Sequence, residues 1–214
     1  ALKFAFPAET TSKCLAFATN GRFYTLDAAK LPGGRGHGEP VRLFADIEQE
    51  HDLVCVFRHQ GGRKFLVASS QGRGFVVPED ECLGTTRKGK QVLNVKLPDV
   101  ARALAVVEGD LIASIGENRK MVIFPLDQVP EMTRGRGVRL QRFKDGGLSD
   151  VKTFKSPEGL SWYDSAGRTF ALSTKELAPW RGNRSDAGRV KPDRFPRNNT
   201  FGQPPVSGKT REDD

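Results

Sequence analysis

The sequence predicts an all-β fold: a propeller-like disc of four-stranded blades, with at least four blades in this chain. Three observations lead there. A unit of about 50 residues recurs four times, each copy offers about four short apolar runs of strand length, and no stretch shows convincing helical periodicity. Aligned on a tight turn, the copies read TNGRFYTL (19–26), SQGRGFVV (70–77), GENRKMVI (116–123) and SAGRTFAL (165–172), which puts an arginine at 22, 73, 119 and 168.

Taken in order, residues 2–6 (LKFAF) resemble the last strand of a repeat. Pairing them with the final repeat is one way to close a ring. The chain opens on Ala1 rather than Met, which points to a piece of a longer protein. The repeats are bounded at about 7–57, 58–107, 108–154 and 155–202, and the polar tail 203–214 reads as disordered. In each repeat a strand leads into the turn: CLAFA (14–18), FLVAS (65–69), LIASI (111–115) and LSWYD (160–164). Gly21, Gly72 and Gly167 sit at the turn position and the alignment places Asn118 there in the third copy. A two-residue hairpin needs positive φ, which Gly adopts freely and Asn tolerates, so these are fold residues.

A short polar segment follows, ending at Leu31, Leu83, Val129 or Leu177, with Pro32, Pro130 and Pro179 nearby to stop a helical turn. Next comes a basic loop: GGRGHG (33–38), TRKGK (86–90), TRGRG (133–137) and RGNR (181–184). Further strands are expected at VRLF (41–44), VLNVKL (92–97) and VRLQRF (138–143), then at LVCVF (53–57), ALAVV (103–107) and VKTF (151–154). After Arg184 the fourth copy dissolves, and its last strand is not evident.

Composition narrows the function classes. A formal charge of +8 and a pI near 9.6 favour a polyanionic partner. No apolar run approaches the ~20 residues that span a bilayer, and no signal peptide is visible. Cys14, Cys55 and Cys82 lie inside apolar strand patterns without a CxxC pair, so they read as buried small hydrophobes in a reducing cytosol. His37, His51 and His59 lack metal-ligand spacing; His37 with Glu39 could hold a metal, but a loop histidine is far more often solvated. No cofactor is expected in this domain.

The basic loops carry the chemistry. In a radial array equivalent loops share one rim, so Arg35, Arg87, Lys88, Lys90, Arg134, Arg136, Arg181 and Arg184 would form a positive belt. Lys120 and Arg139 flank it. Interleaved glycines would let backbone N–H groups approach phosphate, while arginine supplies charge-assisted forks. Nothing resembles base readout, so the belt predicts sequence-tolerant binding and bending of duplex DNA. The turn arginines Arg22, Arg73, Arg119 and Arg168 either flank this belt or pair with Asp27, Glu79, Asp127 and Glu176. Catalysis finds no support: no nucleophile elbow or P-loop is present, and Tyr24 and Tyr163 lie within strands where packing is their job.

The repeat resembles the C-terminal β-pinwheel domain of the A subunits of bacterial type IIA topoisomerases. NGRFYTLDAAKLPGGRGHGEP (20–40), ENRKMVIFPLDQVPEMTRGRG (117–137) and AGRTFALSTKELAPWRG (166–182) look closest to the topoisomerase IV branch. The QRRGGKG box of gyrase is absent from these residues, which supports that branch over gyrase. The resemblance implies a strand-swapped disc whose basic rim bends DNA, with no cutting residue in this part. It also implies a cytoplasmic, nucleoid-associated parent: a heterotetramer with an ATPase B subunit, using ATP and Mg in other domains for decatenation and supercoil relaxation. A regulator or condensin-type protein would be a further partner. The competing class is a protein-interaction propeller that recruits such a partner.

Overall fold

The computed structural model describes residues 12–30 and 41–202. The expectations resting on LKFAF, on GGRGHG with Arg35, on His37 and Glu39, and on the tail 203–214 fall outside the described residues.

Every repeat begins with a hairpin; in the first three its strands are largely buried on both faces, because neighbours cover the blade, whereas the fourth alternates or lies open. The first repeat supplies β1 (Lys13–Ala18), β2 (Arg22–Asp27) and β3 (Leu53–Arg58). The second supplies β4 (Lys64–Ser69), β5 (Arg73–Pro78), β6 (Lys90–Gln91) and β7 (Ala101–Val106). The third supplies β8 (Leu111–Gly116), β9 (Lys120–Pro125), β10 (Val138–Arg139) and β11 (Leu148–Phe154). The fourth supplies β12 (Leu160–Tyr163), β13 (Thr169–Leu172) and β14 (Arg189–Val190). Phenylalanines fill the space between blades: Phe17 stacks on Phe23 at 4.5 Å, and Phe23 on Phe65 of the next blade at 6.3 Å. A second core, around Trp162, Phe195 and Phe201, joins the third and fourth blades.

The sheets are strand-swapped. Their orders are β3-β1-β2-β6, β7-β4-β5-β10 and β11-β8-β9-β14, with β12-β13 apart. In each complete blade the outermost strand therefore comes from the following repeat, as the resemblance implies. β3 packs on β7, and β7 on β11, so the innermost strands meet around the disc axis. A cleft of about 700 Å³ opens there, lined by Cys55, Leu104, Val151 and Tyr163.

Three expectations need correction. VRLF (41–44) is a helical turn and not a strand: Phe44 N–H donates to the Val41 carbonyl at 3.0 Å, and Val41 is buried against the first blade. The sequence places Pro40 just before it, and proline suits a first helical turn while lacking the N–H a ladder needs. No strand forms at 92–97, where the pairing comes two residues earlier as the dipeptide β6, and the strand predicted at 138–143 shrinks to the dipeptide β10, because the chain then turns away along the rim. The fourth repeat forms only a two-stranded sheet among the described residues, since the swap sends β14 back to the third blade.

The third turn is also shifted by one. Ile115 pairs with Met121 just as Phe17 pairs with Phe23, which makes Lys120 the equivalent of Arg22. The positive φ falls on Arg119 (64°), matching Gly21 (81°), Gly72 (85°) and Gly167 (79°). Asn118 does what Asn20 does: its Oδ1 accepts the N–H two residues on, at 3.0 Å for Lys120 and 2.9 Å for Arg22.

Candidate nucleic-acid interface

The swapped strands carry the basic loops to the outer edge of the disc, opposite the axis. Each loop reaches that edge through a glycine at positive φ: Gly89 (71°), Gly137 (76°) and Gly188 (84°). A Cβ at these positions would meet the receiving strand, at 2.7 Å from Phe23 O, 2.0 Å from Gly74 O and 2.4 Å from Met121 O respectively. The loop glycines thus seat the swapped strand, a packing role that the sequence alone did not suggest.

The loops are bonded side by side. Asp46 N–H donates to Arg87 O at 2.7 Å and Arg87 Nη1 to Leu43 O at 2.8 Å, joining the first repeat to the second loop. Asn94 N–H donates to Gly135 O (2.8 Å) and Gly135 N–H to Val92 O (3.0 Å), joining the second loop to the third. Ser185 N–H donates to Leu140 O and Arg184 Nη1 to Arg139 O, both at 2.9 Å, joining the third to the fourth. Fully buried Gln141 locks this last junction. Its Nε2 donates to Lys120 O and Ala187 O, and its Oε1 accepts from Ser114.

On this rim Arg87, Lys88, Arg134, Arg136, Arg139 and Arg181 are exposed, and Lys90 and Arg184 are half-buried. Arg87 reaches Asp46 at 3.3 Å, Lys90 reaches Glu81 at 3.6 Å, and Arg134 donates to Asn94 at 3.3 Å. The fourth loop is out of step with its predicted alignment. Gly188 is the true counterpart of Gly89 and Gly137, so SDA (185–187) stands where the other loops carry RKG-type charge. Sequence reasoning missed Arg189 and Lys191 for this reason. The signal was present, as a glycine followed by a strand dipeptide in GKQ (89–91), GVR (137–139) and GRV (188–190). Exposed Arg142 and Lys144 also lie beyond the predicted set.

The turn arginines have four different fates, and none pairs with the acid suggested for it. Arg22 Nη1 donates to the Lys88 carbonyl at 3.2 Å, beside the second loop. Arg168 pairs with Asp164 at 2.6 Å. Arg119 points to the C-terminal segment, donating to Phe195 O, Pro196 O, Arg197 O and Asn199 Oδ1 at 2.7–3.2 Å. It is a clamp on the chain itself. Arg73 has no ion-pair partner among the described residues and faces β10. Lys120, at the corresponding position in the third blade, faces Val190. Glu79 instead binds Arg63 (Nε, 2.8 Å; Nη2, 3.0 Å), His59 Nδ1 (2.8 Å) and the Gln60 and Gly61 amides. Burial opposes ionisation there, but the Arg63 fork and these amides outweigh it and hold the carboxyl at about 2.

The three cysteines are buried and not joined by a disulfide, and burial pushes the Cys82 thiol up to about 12. Tyr24 is buried, with its hydroxyl bonded to Asn20 and Asp46, and Tyr163 lines the axial cleft. Among the described residues no His, Cys, Asp and Glu group could hold a metal ion, and no helix is long and apolar enough to cross a membrane.

Comparison with known proteins agrees with this architecture. The family model described as the DNA gyrase C-terminal domain, beta-propeller, matches residues 63–107 and 110–148. The A subunit of DNA topoisomerase 4 from Caulobacter vibrioides is 46% identical over 94% of this chain and 26% of its own length. The Rickettsia bellii protein of the same name is 40% identical over 93% of this chain and 26% of its own length. The chain thus spans about a quarter of these curated relatives. In fold it is similar to the E. coli ParC C-terminal domain, with a TM-score of 0.70 at 21% identity, over 87% of this chain and 79% of that one.

Proposed function

The chain belongs with the β-pinwheel domains of type IIA topoisomerase A subunits, and we propose that it is a non-catalytic platform that binds and bends duplex DNA for DNA topoisomerase IV. The observation that carries this reading is the lateral bonding of the rim segments, which turns separate basic loops into one track on a convex edge. Cations spaced along such an edge neutralise successive phosphates without reading bases, and curvature of the edge favours bent DNA. The chemistry of strand cleavage and passage, with ATP and Mg, belongs in this reading to other parts of a cytoplasmic complex of A and B subunits. A partner-recruiting disc would instead need a contiguous apolar patch. The exposed large hydrophobics among the described residues, Leu43, Leu97 and Val190, come from three different repeats.

Binding of a short duplex should weaken steeply between about 50 and 200 mM salt, since each neutralised phosphate releases roughly 0.9 counterion. Arg134→Glu with Arg136→Glu should weaken all duplex sequences alike and flatten the salt slope, as measured by fluorescence anisotropy. An affinity indifferent to salt would overturn the reading.

A further inference from the structure

We infer that Arg73 and Arg139 form an anion clamp that pins one backbone phosphate at the second blade, a site that rests on the DNA-binding reading above. The two residues are direct cross-strand partners where β10 joins β5. Directly opposed residues project from the same face with Cβ atoms about 5 Å apart, and like charges so placed repel. Equivalent positions in the neighbouring blades avoid this conflict: Arg22 faces Gln91, and Lys120 faces Val190. Among the three described outer-strand pairings, that of blade 2 alone opposes two cations.

Nothing among the described residues relieves the pair. No carboxylate lies within ion-pair distance of either guanidinium, whereas the basic residues Arg63, Lys64, Arg87, Lys90 and Arg168 each have one. The Arg184 guanidinium adds a third charge, bonded to the Arg139 carbonyl at 2.9 Å. Two planar forks projecting from one face offer ten N–H donors, and a phosphodiester oxygen pair is the ligand such forks match. A bound phosphate would turn the repulsion into attraction, so the site gains most when occupied. The track then has an anchor at its centre, between the second and third loops.

The test is Arg139→Gln in the full chain, which copies the Arg22–Gln91 arrangement of the first blade, beside Arg136→Gln as a single exposed cation. The clamp requires signs that oppose each other. Without ligand the Arg139→Gln melting temperature should hold or rise, while its affinity for a short duplex at about 100 mM salt should fall about tenfold, more than for Arg136→Gln. Inorganic phosphate should raise the melting temperature of the parent chain more than that of Arg139→Gln. Arg73→Gln should reproduce all three effects. An Arg139→Gln chain destabilised without ligand, or losing no more affinity than Arg136→Gln, would overturn the clamp and leave the DNA track standing. Protection by phosphate with unchanged duplex affinity would make it a free-anion site and overturn the DNA assignment. If neither variant moves duplex binding, the DNA reading itself fails.

Discussion

Blades 2 and 4 grow from the same repeat and differ in whether a neighbour completes them. At Gly72 a Cβ would meet the Phe143 ring at 2.7 Å and Gln141 O at 2.9 Å, because the third repeat lays its strand over that turn. At Gly167 a Cβ would meet nothing within 4 Å. Blade 2 has the acceptor of its turn in use, with Leu140 N–H donating to Gly72 O at 2.7 Å. Blade 2 also carries the Glu79 clip, where the corresponding residue of blade 4 is Thr174. The unit of this fold is thus the junction between repeats, and a lone repeat is an unfinished blade.

Breaking a junction glycine should produce the largest effect. Gly137→Val places a side chain 2.0 Å from Gly74 O at a φ of 76°, so about 4 kcal/mol should be lost in urea unfolding. Gly167→Val, with the same φ cost and open space, should lose about 1–2 kcal/mol. Equal losses would mean that the swapped strand contributes nothing to blade 2.

Next in size is the clip. Glu79→Gln leaves the Arg63 charge without its buried carboxylate and should cost about 3 kcal/mol. The acid dependence has a definite sign. Glu79 titrates at about 2 in the folded chain against 4.5 ordinarily, so its stabilisation is complete above pH 4.5 and disappears as pH falls toward 2. Unfolding midpoints followed between pH 5 and 2 should drop steeply for the parent chain and more gently for Glu79→Gln.

Arg119 joins the complete part of the disc to the incomplete part. Its guanidinium holds the carbonyls of 195–197, and that segment seats Phe195 against Trp162, with Phe201 edge-on to Phe195. Arg119→Ala should cost about 2 kcal/mol and raise hydrogen exchange in 195–201, with duplex affinity falling less than for Arg134→Ala. A larger affinity loss would return Arg119 to the DNA track.

These contrasts show what a linear reading can reach. The hairpins and the repeat were legible because turn glycines and apolar runs are local signals. The strand dipeptides β6, β10 and β14 were not, since two residues carry no periodicity and their partner lies in another repeat. The shifted third turn was hidden because Arg119 looked like the other turn arginines while standing in the glycine position. The fates of Arg22, Arg73 and Arg119 were hidden for a related reason: what each faces is decided by another repeat, and no spacing along the chain records it, while Arg168 pairs within its own turn.

The smallest effect belongs to blade 4. Arg168 pairs with Asp164, but its side chain is 75% exposed, and Asp164 Oδ1 already accepts the Ala166 and Arg168 amides. Such a pair is screened by water, so Arg168→Ala should change stability by no more than about 0.5 kcal/mol. Its DNA effect is the sharper readout. With no described strand lying over the turn, Arg168 stands beside no second cation comparable to Arg139. Its removal should lower duplex affinity less than Arg73→Gln does at the same salt. Equal losses would mean that blade 4, despite its open edge, holds DNA as firmly as the completed blade.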